Sequence, residues 1–139
     1  MHLLKIYSKT LVIETTKKFQ VVRITREVEN AVRESGISEG VCLIHAPHAT
    51  AAIILNEYEP RIVEDYIRWI VETFRPGSGW RHDEIDDNAH AHLASSFIGS
   101  GRFLPVSKGS LVRGTWQEVM LVELDGPRKR NIFIQVMGE

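Results

Sequence analysis

The sequence predicts an α+β fold with an antiparallel sheet core and three helices. Three observations carry this. Short apolar runs bounded by turn residues recur at both ends of the chain. Three intervening stretches return apolar residues at helical spacing. The chain has 139 residues, 43% hydrophobic and 25% charged, which suits one globular unit with a sizeable core. The expectation is a single domain over residues 1–139.

Taken in order, Leu3 to about Val22 alternates loosely through Ile6, Tyr7, Leu11, Val12, Ile13, Phe19 and Val21, with Thr15-Thr16-Lys17-Lys18 as a polar break. This reads as two strands and a turn. Ile24, Val28, Ala31 and Val32 then predict a helix from about Thr25 to Ser35, ended by Gly36. Val41 to Ile44 and Ala51 to Leu55 are buried strands around the loop His45-Ala46-Pro47-His48-Ala49-Thr50. Pro60 suits the first position of the longest helix, whose apolar stripe is Ile62, Val63, Tyr66, Ile67, Ile70 and Phe74. Pro76-Gly77-Ser78-Gly79 closes it. Asp86, Asp87 or Asn88 can cap a third helix that runs to about Ile98 and ends at Gly99. Phe103 to Val106, Trp116 to Leu124 and Ile132 to Met137 are the remaining strands. The last two read as a hairpin turning at Asp125-Gly126-Pro127, with Arg128-Lys129-Arg130 at or just after its tip.

The bulk properties exclude several classes. A formal net charge of −1 offers no basic field for a nucleic-acid backbone. Cys42 is the only cysteine and lies in an apolar run, so no internal disulfide forms and a reducing cytoplasm is expected. Met1-His2-Leu3-Leu4-Lys5 reaches a charge too soon for a signal peptide, and no apolar run is long enough to span a bilayer.

The histidines are unevenly placed. Arg81 to His92 holds three of them among four acidic residues; His45 and His48 lie upstream, and His2 is a terminal outlier. Such grouping points to a metal or acid–base site, and His48, His82 and His92 are expected to converge. His90 and His92 project about 200° apart on a helix, so they cannot easily grip one ion together. His92 shares a small polar face with Asn88, Ser95, Ser96 and Gly99. His90 falls with Leu93, Ala94 and Phe97 and reads as a packed or partly exposed structural residue.

Other residues have a functional and a plain reading side by side. Glu57, with Asn56, is a general base or an orienting partner for an imidazole, or a solvated carboxylate before a helix. Asp83, next to His82, is the one member of the acidic run with a plausible catalytic role. Thr115 and Gln117 flank Trp116 and would share a strand face, either bonding a ligand or as ordinary strand polarity with Trp116 in the core. Lys108, Arg113 and Arg128 suit a phosphate or pyrophosphate, or are turn charges. Lys129 and Arg130 read as solvated turn charge, Ser95 and Ser96 as helix packing, and Cys42 as a buried strand residue.

Pro47-His48-Ala49-Thr50-Ala51, Asn56-Glu57, Arg81-His82-Asp83, Ala91-His92-Leu93-Ala94-Ser95-Ser96, Gly114-Thr115-Trp116-Gln117 and Glu123-Leu124-Asp125-Gly126-Pro127-Arg128 together resemble the YjbQ family, some members of which are described as secondary thiamine-phosphate synthases. The resemblance implies a β-sandwich-like domain, a homotrimer, and a metal, usually zinc, on His48, His82 and His92. Ala49, where Thr is more usual, and His45, where an apolar residue is more usual, depart from the pattern. They leave the three ligand positions in place, with His45 open as an extra ligand.

Three functions compete. The first is a metal-dependent enzyme acting on a small phosphorylated substrate, which by resemblance couples a pyrimidine pyrophosphate to a thiazole phosphate. The second is a metal-dependent hydrolase with Glu57 or Asp83 as base. The third is a non-catalytic trimer that binds a metal or small anion. None involves nucleic acid or membrane.

Overall fold

Apolar alternation in the strands resolves into two antiparallel sheets, stacked so that one buries a single face and the other both. The computed structural model describes residues 3–139, so His2 lies outside the described residues. The elements run β1 (Lys5–Glu14), β2 (Gln20–Arg23), α1 (Thr25–Ser35), β3 (Gly40–His45), β4 (Ala51–Asn56), α2 (Pro60–Thr73), a 3-10 turn (Arg81–Glu84), α3 (Ala89–Ile98), β5 (Gly101–Ser107), β6 (Ser110–Leu111), β7 (Glu118–Glu123) and β8 (Lys129–Gly138). The larger sheet has the order β1-β8-β3-β5-β6 and the smaller β2-β7-β4. This is the expected α+β, sandwich-like architecture with three helices.

Strand parity explains the layers. In β8, Ile132, Ile134 and Val136 face inward; in β4 and β7, Ala51, Ile53, Val119 and Leu121 meet them, and α1 closes this core with Val28, Ala31 and Val32. The opposite parity of the smaller sheet, Ala52, Val122 and Ile54, packs beneath Ile70 of α2 and Ala91 and Ala94 of α3. The helix ends form as their residues require. Gly36 takes a left-handed φ of 68° behind α1, and the Glu59 side chain accepts the Arg61 and Ile62 amides ahead of Pro60.

The first two strands, separated by a turn as expected, join different sheets: β1 pairs with β8 and β2 with β7. Three expectations are corrected. The last two strands are not a hairpin, because β7 lies in the smaller sheet and β8 in the larger. The turn at Asp125-Gly126-Pro127, with a cis Gly126–Pro127 bond, carries the chain between sheets. Trp116 is not core; it sits in a turn before β7 and is 72% exposed. Leu93 and Phe97, expected on the packed face of α3, are exposed as well.

Ile53 is fully buried between the sheets, whereas Trp69 on α2 is largely exposed. Ile53→Ala is expected to lower the unfolding free energy by about 2–5 kcal/mol. Trp69→Ala should stay within about 0.5 kcal/mol of wild type. Urea denaturation of both variants checks this.

Candidate functional site

The loop between β3 and β4 is fixed from below by a buried ion pair. Arg130 is 2% exposed and Glu123 is fully buried. The Arg130 Nε donates to both Glu123 oxygens at 2.9 and 3.1 Å, and its Nη2 also contacts Glu123 Oε2. The same Nη2 donates to the Thr50 carbonyl and hydroxyl, each at 2.9 Å. Thr15 Oγ1 at 2.7 Å and the Asp125 amide at 3.1 Å complete the carboxylate's partners. Arg130 therefore holds the base of the loop two residues from His48. Its reading as solvated turn charge is overturned: it shares the inward parity of Ile132, Ile134 and Val136 in β8. That parity was the available signal.

The His48 ring ends the sheet ladder. Pairing between β3 and β8 stops at His45 opposite Phe133. Two residues further along β8, the Asn131 amide donates to His48 Nε2 at 2.9 Å, and the Asn131 carbonyl lies 3.2 Å from the same nitrogen. The ring thus occupies the place of a next β3 residue and leaves Nδ1 for the groove. Burial, then the Arg130 charge, holds the His48 pKa below the ordinary imidazole value.

His82, from the 3-10 turn, and His92, from α3, meet edge to face with ring centroids 4.8 Å apart. Neither ring has a hydrogen bond among the described residues. His92 lines two adjoining grooves. One, of about 360 Å³, includes Trp80, His82 and Leu93. The other, of about 460 Å³, includes His48 and Ser96. Among the described residues, no three His, Cys, Asp or Glu side chains are close enough to hold one ion. The chain therefore pairs His82 with His92 and sets His48 across the groove, short of a closed three-imidazole site.

Asp83 is partly committed, since its Oδ1 accepts the Ala89 amide at 3.0 Å and so caps α3. The expected caps act elsewhere: Asp86 accepts the Asp87 amide, and Asn88 Nδ2 donates to Asp125 at 3.0 Å. Asp125 also takes Lys18 at 2.6 Å and Arg128 at 2.9 Å. Arg128 keeps about half its side chain exposed at the histidine end. His90 is 3% exposed and packs against Phe19, apart from the His82–His92 pair. His45 lies in the outer face of the larger sheet opposite Gly101 and Phe133.

The other expected residues lie elsewhere. Asn56, Glu57, Thr115, Trp116 and Gln117 line an open groove of about 420 Å³. That groove is at the far end of β4, roughly 20 Å from Thr50 at about 3.3 Å per residue. Glu57 is therefore not beside the His48 loop of its own chain, and its carboxylate makes no hydrogen bond or ion pair among the described residues. Thr115 and Gln117 do not share a strand face. They lie in a turn closed by the Gln117 amide on Gly114 O, with Gln117 Oε1 accepting the Gly114 amide, both at 3.1 Å. Arg113 braces this turn, donating to Glu29 at 2.9 Å and to Gln117 O at 2.9 Å. Lys108 sits in the β5–β6 turn, its amide on Glu39 at 3.1 Å. Lys108, Arg113 and Arg128 do not form one phosphate cradle.

Residues 9–139 match the family described as UPF0047 protein YjbQ-like. The chain belongs to the YjbQ-like UPF0047 family. It is 40% identical over 134 residues to UPF0047 protein YugU of Bacillus subtilis, covering 94% of this chain and 98% of the relative. It is 35% identical over 127 residues to a UPF0047 protein of Archaeoglobus fulgidus, covering 91% and 98%. The crystal structure of a YbjQ-like protein of unknown function from Sulfolobus solfataricus P2 superposes with a TM-score of 0.98 at 48% identity, covering 99% of this chain and all of that one. A hypothetical protein from Aeropyrum pernix K1 gives a TM-score of 0.93 at 40% identity, covering 95% and 98%. In this YjbQ-like chain the motifs thus divide between the two ends of β4.

Two predictions follow from the buried polar cluster. Arg130→Met strands the Glu123 carboxylate and is expected to cost about 3–5 kcal/mol. The double variant Arg130→Met with Glu123→Leu should recover much of that loss, as equilibrium urea unfolding will show. The second concerns acid. Burial works to raise the Glu123 and Asp125 carboxyls, but Arg130, Thr15, Lys18 and Asn88 together hold both below their ordinary values of 4.5 and 3.8. Their stabilisation is therefore complete above those values and is lost as pH falls through the lower folded-state values. Unfolding free energy should decline on acidification from about pH 4.5, and Glu123→Gln should flatten that decline.

Proposed function

We propose that this chain is a metal-dependent enzyme of the cytoplasm that acts on a small phosphorylated substrate as a homotrimer. The observation that carries this is the His82–His92 pair, whose rings make no hydrogen bond among the described residues, set across a groove from His48. A zinc ion suits two such imidazoles plus further donors. Bound there, it would supply a Lewis acid for phosphate oxygens.

The chain's own groups do the rest. His48 is anchored through Nε2 by Asn131, so one ring nitrogen is presented to the groove in a fixed direction. With Nε2–H donated to the Asn131 carbonyl, Nδ1 carries a lone pair; with the Asn131 amide donating instead, Nδ1–H faces the substrate. Arg128, half-exposed at the same end and bonded to Asp125 through Nε and Nη2, has its remaining guanidinium N–H groups for a phosphate or pyrophosphate. A transferase reaction of the thiamine-phosphate synthase kind, forming a C–N bond as pyrophosphate departs, would use these groups chiefly for binding and charge stabilisation. The closer Asn131 amide contact at 2.9 Å favours a second reading, in which metal-free protein uses His48 as a donor to a small anion.

Metal content of the purified protein, measured by mass spectrometry, separates these readings. The expected result is about one zinc per chain, lost in His82→Ala and His92→Ala and retained in His90→Ala. Zinc-free wild type after supplementation, with pyrophosphate still bound by calorimetry, would overturn the enzyme reading in favour of the anion-binding one.

A further inference from the structure

We infer that the protein binds a buried water molecule between Asn88 and His90, and that this water carries the polar anchor around Asp125 into the first turn of α3. The site is separate from the proposed function and holds whether or not a metal binds at His82 and His92.

Three buried polar atoms call for a partner. His90 is 3% exposed and Asn88 is 8% exposed. Asn88 Oδ1 and both ring nitrogens of His90 have no hydrogen-bond partner among the described residues. Buried polar atoms without partners are costly, and internal waters are found where such atoms gather. Turning the Asn88 amide over does not relieve this. Its Nδ2 donates to Asp125 Oδ2 at 3.0 Å, and the exchange would set Oδ1 against a carboxylate. Either neutral tautomer of His90 leaves one N–H and one lone pair to satisfy.

The two side chains converge. A helical side chain leans back over the turn before it, so His90, in the first turn of α3, lies toward Asn88. The His90 ring also packs against Phe19, with centroids 5.6 Å apart. Phe19 follows Lys18, whose ammonium donates to Asp125 Oδ1 at 2.6 Å, and Asp125 is the partner of Asn88 as well. Both side chains therefore meet one short segment and one carboxylate.

The chemistry of the place selects water over an ion. Asp125 already takes Lys18 on Oδ1, and Asn88 and Arg128 on Oδ2. A cation would find only the neutral Asn88 oxygen and one imidazole lone pair, close to the Lys18 ammonium. An anion would find one imidazole N–H, with Asp125, Asp83 and Asp87 near enough to act on the ring. Water donates one hydrogen to Asn88 Oδ1 and uses its other hydrogen or a lone pair for the nearer ring nitrogen, whichever tautomer is present. A connected path then runs from Lys18 through Asp125, Asn88 and the water to His90, which makes the imidazole a polar member of the anchor.

A near-atomic crystal structure of the whole chain tests this. The expected result is a single density peak roughly 2.7–3.2 Å from both Asn88 Oδ1 and one His90 ring nitrogen. In solution, the His90 ring protons should show magnetisation transfer from water, with the sign of a bound, slowly exchanging molecule. His90→Phe keeps a ring but no polar atom, and the density peak should vanish in it. A dry Asn88 Oδ1 in the wild type, or a direct hydrogen bond between Asn88 and His90, would overturn the inference. So would a peak roughly 2.0–2.4 Å from these atoms, which is the spacing of a metal ion. A peak that persists in His90→Phe would show Asn88 holding the water alone and would overturn the bridge. If that variant does not fold, the wild-type density and the ring–water transfer decide the matter, and a missing transfer signal counts against the bound water.

Discussion

The buried pair Arg130–Glu123 is the interaction on which the rest of this structure depends. It joins β8 of the larger sheet to β7 of the smaller one, and through Thr50 it fixes the loop that carries His48. Two charges in a fully enclosed place are costly unless every polar atom finds a partner. Here Thr15, Thr50 and the Asp125 amide supply those partners, drawing the start of the chain, the β3–β4 loop and the turn after β7 to one point. The adjacent Asp125, held by Lys18, Asn88 and Arg128, adds the approach to α3. Four segments distant in sequence thus share one polar anchor, and the histidine end is built directly above it.

That anchoring explains why the imidazoles are placed as they are. His48 is fixed at both its backbone and its ring, and His92 rides on a helix whose first turn is capped by Asp83, the residue after His82. The His82–His92 pair is therefore set by local geometry, in a 3-10 turn and the helix that follows it. The larger groove depends on long-range contacts through Arg130. The far end of β4 is built differently: its turn is held by Gln117 and Arg113, and the Glu57 and Trp116 side chains are left exposed.

Much of this was legible in the sequence. The start of α2 at Pro60 and the end of α1 at Gly36 follow from local rules, because capping and glycine chemistry act over a few residues. The separation of His90 from His92 follows from helical rotation, and it matches a buried His90 and a half-buried His92 lining both grooves. What was not legible is non-local. The sheet that each strand joins depends on partners far along the chain, so β7 and β8 looked like a hairpin although they belong to different layers. Arg130 looked solvated because its neighbours Arg128 and Lys129 are, even though its parity with Ile132 placed it inward. The distance between His48 and Glu57 could have been read, since the run from Ala51 to Leu55 was already recognised as extended and an extended run keeps its two ends apart.

The ring of His48 at the end of the β3–β8 ladder has a consequence of its own. A sheet ordinarily ends where a peptide carbonyl stops finding amides, and a carbonyl is chemically inert. Here the last acceptor is an imidazole, whose proton can sit on either nitrogen. The register of two core strands and the protonation pattern of a groove residue are joined by one hydrogen bond. Which Asn131 backbone group holds the ring, amide or carbonyl, and which ring nitrogen carries the proton are thus one and the same choice.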